Sequence, residues 1–285
     1  AILGGDITGK WMVPIFEEKD GIFRAKFLGQ EYLAKNHEEL EKIKRDIRFQ
    51  GGYPYLTTLG EFEELKNNPE KADKKFSELM VETMEYWLKI ADERFKDTEV
   101  KVFILPGNDD RYDIDNAFNK SECVINPEGK VYQLDDLYEM ISTGYTNITP
   151  WNAPRDVSEE ELNSRIESLC SEVRDMKNCI FCFHCPPYGT QLDRATQIDK
   201  DFRPVAGASG TIATKHVGSV SIRNAIEKHQ PLLGLHGHIH ESRGICKIGR
   251  TLCINPGSEY LEGILRGALV ELDEKGVKSY ILTSG

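Results

Sequence analysis

Pro231-Leu232-Leu233-Gly234-Leu235 runs directly into His236-Gly237-His238-Ile239-His240. The apolar run has the length of a buried strand, and its histidines follow at the C-terminal end, where open α/β sheets place their sites. On an extended chain alternate side chains point the same way, so His238 and His240 are expected to face one centre. Neutral imidazole is the commonest metal ligand, and three of the chain's seven histidines stand here. The alternative is a set of ordinary hydrogen-bonded or surface histidines.

Three other stretches are built in the same way. Ala1-Ile2-Leu3 leads into Gly4-Gly5-Asp6; Val102-Phe103-Ile104-Leu105 leads into Pro106-Gly107-Asn108-Asp109-Asp110; Ile180-Phe181-Cys182-Phe183 leads into His184-Cys185-Pro186-Pro187. Each strand-like run delivers an Asp, Asn or His to its end. In a sandwich whose strands share a direction, such ends gather at one edge.

The order Gly5-Asp6, Gly107-Asn108-Asp109-Asp110, His184 and Gly237-His238-Ile239-His240 resembles the calcineurin-like metallophosphoesterases, and the matches run from residue 5 to residue 240. Each motif is weak alone; four in this order are specific. Two departures stand out. The family opens with a strand ending in Asp-x-His, which these residues lack, so the first strand is expected to be missing from this chain. The family's Gly-Asn-His motif is here Gly-Asn-Asp, with Asp109 in the histidine's place.

The resemblance implies a four-layer α/β/β/α sandwich of two mixed sheets flanked by helices, one metallophosphoesterase domain over 1–285. The alternation of strands and helices in the sequence points to the same layering. A hairpin and helical insertion is expected at about 11–97. The resemblance also implies a metal-dependent phosphoesterase, hydrolysing a phosphomonoester or phosphodiester by attack of metal-bound hydroxide. Asp6 would bridge two metals; Asn108, His184 and His238 would complete the first; His240 would bind the second. Two ligands are fewer than a catalytic site normally takes, so the second position is expected to be weak or empty in this chain, while a full-length protein would hold two ions. Mn, Fe and Zn all accept such mixed ligands. Asp109 would protonate the leaving group if burial or a neighbouring carboxylate such as Asp110 raises its pKa. His236 is expected to support a ligand and not to be one. Arg111, His216 and Arg223 could reach an anion, and Asn255-Pro256-Gly257-Ser258 is read as structural support. Departing from the family at Asp109 and at the missing segment, the chain could alternatively be a catalytically impaired scaffold that binds partners.

The composition is compatible with this. A net charge of −11 disfavours nonspecific nucleic-acid binding, and leaves room for a small phosphorylated substrate drawn by a cation's charge. No stretch has the length of a membrane span. The seven cysteines are odd in number, and four of them lie in apolar runs, which fits a reducing, cytoplasmic setting better than a secreted disulfide scaffold. A zinc site built on Cys179, Cys182, His184 and Cys185 competes with the phosphoesterase reading. It is disfavoured because Cys179 and Cys182 fall on opposite faces of a strand.

Along the chain, Val13–Phe16 and 22–27 flank a hairpin signal at Lys19-Asp20-Gly21. Asn36 caps a helix to about Arg48, and Gly51–Tyr55 reads as loop. Pro69 opens the longest helix, to about Lys96. Residues 111–119 are expected to be helical, and Ser158 with Glu161 caps a helix to about Met176. Residues 186–216 show little periodicity and are read as a long functional or mobile loop. Ser219 caps a helix over 220–229, and hairpins are expected at 244–254 and 267–282.

Overall fold

The computed structural model of the protein describes residues 1–18, 21–207 and 211–285. The chain forms two compact units. One contains residues 1–6, 102–110 and 125–285; the other contains 7–101 and 111–124. Lys19 and Asp20 of the hairpin signal lie outside the described residues.

The first unit is a mixed α/β sandwich. Its main sheet has six strands, in the order Gly244–Ile248, Thr251–Asn255, Leu233–Leu235, Cys179–Phe183, Glu139–Thr143 and Val131–Gln133. The four inner strands are parallel and the two edge strands antiparallel. Both faces of the inner strands are covered, and they are accordingly apolar throughout: Cys179–Phe183 is buried at every position. Cys179, Phe181 and Phe183 pack on one side with Leu162, Ile166, Ile222 and Ile226 from the helices Glu159–Glu172 and Val220–His229. Ile180 and Cys182 pack on the other with Phe103, Leu105, Leu233 and Ile254.

That second core is closed by a parallel pair, Ile2–Leu3 with Val102–Ile104, and by the hairpin Arg266–Asp273/Gly276–Ser284. The hairpin ladders to no other sheet among the described residues. It is held by side chains: Val270, Leu272, Val277 and Leu282 reach the same core.

The second unit has a four-stranded sheet, in the order Gln30–Ala34, Phe23–Phe27, Trp11–Glu17, Gly52–Thr57. Val13, Ile15, Ala25 and Phe27 pack against Leu40, Ile43 and Ile47 of the helix His37–Phe49. Asn36 caps that helix by accepting the Glu39 N–H at 2.9 Å. Pro69–Phe95 is the longest helix, with Leu79, Met80, Met84 and Leu88 buried.

Several local expectations are corrected. Residues read as loop at 51–55 belong to the strand Gly52–Thr57, buried at five of six positions; its Gly and Pro conceal a strand whose pairing with 11–17 supplies the order. Thr58 and Glu61 form a capping box that opens an unforeseen helix, Leu59–Asn67. Residues 111–119 form two short 3-10 turns, Tyr112–Ile114 and Ala117–Lys120. The helix after Ser158 stops at Glu172, because Val173 is already extended. The 186–216 segment is not wholly irregular: Arg194–Thr196 pairs antiparallel with Thr214–His216. Among the described residues, no helix is long and apolar enough to cross a membrane.

Candidate metal centre

The ends of three strands bring Asp6, His184 and His238 together, with one ligand atom of each within 4.8 Å of the others. Their approach depends on glycine. A Cβ on Gly107 would collide with the Asp6 backbone nitrogen and carboxylate, and one on Gly5 would strike the His184 ring. The backbone is strained at two of the three residues: Asp6 has φ of 53° and His238 has φ of 62°. Side chains other than glycine adopt this left-handed region at a cost and mostly where the surroundings enforce it.

His184 is buried, and its Nδ1 lies 2.7 Å from the Gly4 carbonyl oxygen. A carbonyl only accepts, so Nδ1 carries the proton and Nε2 is the ring's ligand atom. Nε2 stands 3.0 Å from Asp6 Oδ2, but is not aligned for a hydrogen bond. Burial pulls the His184 pKa down; the Asp6 carboxylate and Gly4 carbonyl outweigh it, and the net direction is up. The His238 ring lies 5.1 Å from that of His184. Burial, with His184 adding to it, pushes the His238 pKa down to about 4, which keeps this imidazole neutral and able to donate a lone pair at neutral pH.

Asn108 is oriented by a residue the sequence reading did not single out. Its Nδ2 donates to Asp156 Oδ1 at 2.9 Å. A carboxylate is acceptor-only when ionised, so this contact fixes which end of the amide is which. Asn108 Oδ1 is then left buried with no hydrogen-bond partner. Asp156 also accepts from Thr146 Oγ1 and from the Thr149 and Ala153 N–H groups, so it ties the irregular 146–156 stretch to the Asn108 loop. The Asp109 N–H donates to Asp6 Oδ1 at 3.0 Å. Asp110 is fully buried and accepts the Gly107 N–H at 2.7 Å, bracing the loop from behind.

The other histidines of the opening motif diverge. His236 is buried, and its Nδ1 reaches the Phe183 and Cys185 carbonyls at 3.0 and 3.1 Å, one on each side of His184. Burial drives its pKa to about 4. His240 is exposed and is not in the close cluster. Its ring meets Tyr260 edge-on at 5.8 Å, beside a cavity of about 290 Å³ that Arg243 and Arg266 also line. The expectation that alternation would point His238 and His240 alike requires extended chain. The strand ends at Leu235, and the left-handed turn at His238 breaks the alternation. Asn255 holds this loop: its Nδ2 is shared among the Gly237, Ile239 and Leu192 carbonyls at 3.0 to 3.3 Å.

Arg111 pairs with Asp73, and Arg223 with Glu227. The cysteine alternative gains no support. Cys179 and Cys182 lie in the two different cores, Cys185 donates to Asn147 Oδ1 at 3.2 Å, and burial raises the Cys179 and Cys182 thiols to about 12.

The residues present fit a divalent cation. A carboxylate, a neutral imidazole, a second imidazole with its lone pair turned inward, and an orphaned buried amide oxygen form a mixed O/N donor set. Without a cation, the raised His184 pKa favours a proton on Nε2 facing the Asp6 carboxylate; a bound ion would take that proton's place.

No family model matches the chain. An uncharacterized protein of Methanocaldococcus jannaschii, MJ1162, is 34% identical over 159 residues, which are 55% of this chain and 64% of that protein, so the chain spans under two thirds of its relative's length. A solved crystal structure matches over 95% of this chain and 97% of its own, with a TM-score of 0.54 and 18% identity, a likeness of fold. An archaeal phosphodiesterase of known structure is matched with 17% identity and a TM-score of 0.27, over 69% of this chain and 90% of that one. That score is too low to argue from.

Proposed function

We propose that the protein is a metal-dependent phosphoesterase of the calcineurin-like kind, acting on a phosphomonoester or phosphodiester of a small molecule. The observation that carries the proposal is the meeting of Asp6, His184 and His238, with Asp6 held against the Gly107–Asp109 loop whose Asn108 has a buried, unpartnered Oδ1. Those four residues would hold one ion of the Mn, Fe or Zn kind, and His240 would serve a second together with Asp6. When bound, such an ion neutralises phosphoryl charge and makes water more acidic.

The chain's own residues do the rest. Gly5 and Gly107 let the ligand loops close on one another. Asp156 holds the Asn108 amide by its nitrogen and leaves its oxygen free to serve a cation, and His236 clamps the backbone on both sides of His184. Conformations with positive φ at Asp6 and His238 hold the donors in place before any ligand arrives, so little reorganisation is left to binding.

The test is turnover of p-nitrophenyl phosphate and bis-p-nitrophenyl phosphate with Mn²⁺, comparing the parent with H184A and N108A. Both variants are expected to lose activity by roughly 10²-fold or more and to bind Mn²⁺ more weakly. Equal activity in parent and variants rejects the assignment. Intact Mn²⁺ binding with no turnover of either ester by the parent favours the scaffold reading, for which the replacement of the family's histidine by Asp109 speaks.

A further inference from the structure

We propose that the cavity beside His240 receives the alcohol portion of the ester, and that this portion is rich in hydroxyl groups, as in the phosphate of a sugar or another polyol. This rests on the phosphoesterase reading and names the substrate class of that site.

The cavity shares its walls with the candidate centre. His240 follows His238 of the cluster by two residues and lines the cavity with Arg243, Tyr260 and Arg266. A second wall starts from Asn255, whose Nδ2 holds the Gly237 and Ile239 carbonyls on either side of His238. Asn255 Oδ1 accepts the Gly257 N–H at 2.9 Å, and the His240 carbonyl accepts the Ser258 N–H at 3.1 Å. Gly257, at φ of 72°, packs so closely that a Cβ would strike the His240 carbonyl oxygen and Arg243 Cβ. The chain then makes a short turn, Tyr260–Glu262, pinned by a bridge between Glu259 and Ile264. That turn stands the Tyr260 ring edge-on to His240. What is bonded to a phosphoryl group held at the centre extends past His240 into this space.

The lining carries both signs of charge. Arg266 directs Nε, at 2.9 Å, and Nη2 to the same oxygen of Glu259, which leaves Glu259 Oε1 open. Arg243 makes a single long hydrogen bond among the described residues, 3.4 Å from Nη2 to the Thr283 carbonyl, so most of its N–H groups are unspent. Glu241 accepts the Thr196 N–H through Oε1 and keeps Oε2 open. With Glu262, three carboxylates stand against the two guanidiniums. A second anion on the substrate would meet a net negative lining, and an alkyl group would cover charges without pairing them. Hydroxyl groups suit both signs, since each donates to a carboxylate oxygen and accepts from a guanidinium N–H. The Tyr260 ring adds an apolar surface for the C–H groups of a sugar. A volume of about 290 Å³ is at the lower end for small-molecule sites, and suits one group of that size.

The experiment uses the whole chain with Mn²⁺ and three phosphate esters of primary alcohols: glucose 6-phosphate, n-hexyl phosphate and 3-phosphoglycerate. Their leaving groups are alike, so differences among them report the cavity. The parent is expected to favour glucose 6-phosphate over n-hexyl phosphate at least about tenfold in kcat/KM, mostly through KM. Y260A and R243M should each bring that ratio towards one, and Y260F, which keeps the ring, should retain most of it. Independently of turnover, saturation-transfer NMR of the metal-free chain with glucose 6-phosphate should show contacts to the sugar C–H groups that Y260A removes. Should the parent cleave only diesters, the methyl diesters of the same three alcohols take the monoesters' place. A ratio near one in the parent, a preference for 3-phosphoglycerate, or a ratio unchanged in Y260A and R243M overturns the proposal while leaving the phosphoesterase reading intact. No turnover of any ester by the parent, despite bound Mn²⁺, overturns both.

Discussion

The two compact units spend their buried volume differently. Among the described residues, every buried polar or charged side chain but Thr57 belongs to the unit that contains the candidate centre, including Asn108, Asp110, Arg155, His184, Asp193, His236 and Asn255. The other unit buries Val13, Ile15, Leu40, Ile43 and Ile47 and keeps its ion pairs, such as Lys71 with Glu64 and Lys120 with Glu85, at the surface. Burying polar groups costs stability unless each finds a partner. The first unit supplies those partners through Asp156, Asp193 and Asn255, and leaves a few atoms orphaned, Asn108 Oδ1 and His184 Nε2 among them. The other unit also leaves Trp11 Nε1 and Arg48 Nε buried without a hydrogen-bond partner, but these are N–H groups away from any ligand cluster, whereas orphaned lone pairs near strained strand ends fit a binding site.

That contrast can be tested by substitutions in each unit. Gly107→Ala is expected to do the most damage, because the new Cβ has no free direction and must displace Asp6. Mn²⁺ affinity should fall at least about tenfold by calorimetry. Ile15→Ala, in the fully buried core of the other unit, should cost about 2–5 kcal/mol in denaturant unfolding while leaving Mn²⁺ stoichiometry per folded molecule unchanged. A loss of Mn²⁺ sites in that variant would erase the distinction between the units. Asn255→Ala strands three carbonyls and should cost about 1–3 kcal/mol, with weakened Mn²⁺ binding, because the His238 loop loses its brace.

Glu159 provides a pH test. Burial would raise its pKa, but bonds from Ser221, Ser219 and the Val220 N–H at the start of the helix Val220–His229 outweigh it and hold the pKa below the ordinary range. The carboxylate therefore stabilises the fold at and above about pH 4.3 and loses that contribution as pH falls towards its lower folded value. Thermal unfolding followed from pH 6 to pH 3 should show a shallower acid-side decline in Glu159→Gln than in the parent. The smallest effect is expected for Gly60→Ala, in the helix Leu59–Asn67, where the added methyl makes only an ordinary contact with Thr58 Oγ1 at 4.0 Å: a gain of about 0.5–1 kcal/mol. This is the opposite sign to the same substitution at Gly107.

Much of this was legible in the sequence. The uninterrupted apolar run of Cys179–Phe183 marks a strand covered on both faces, and Asn36, Pro69, Ser158 and Ser219 mark helix starts that all hold. Asp6, Asn108, His184 and His238 were legible as candidates because each stands within three residues of the end of an apolar run. The strand Gly52–Thr57 was not, because it exists through its pairing with Trp11–Glu17. Nor were Asp156 and Asp193, which are ordinary acidic residues until the folded chain brings Asn108 or His216 against them.

Sequence alone determined the buried inner strands, the capped helix starts and the donors that stand near the strand ends, since periodicity and capping are interactions among near neighbours in the chain. The tertiary structure alone decided that His238 joins the cluster while His240 turns towards Tyr260, that Asn108 presents its oxygen, and that Asp193 pairs with His216. Those outcomes depend on a left-handed φ at single residues and on contacts between segments distant in sequence, such as Gly4 with His184. The register of the packed strands sets them, and local pattern does not encode it.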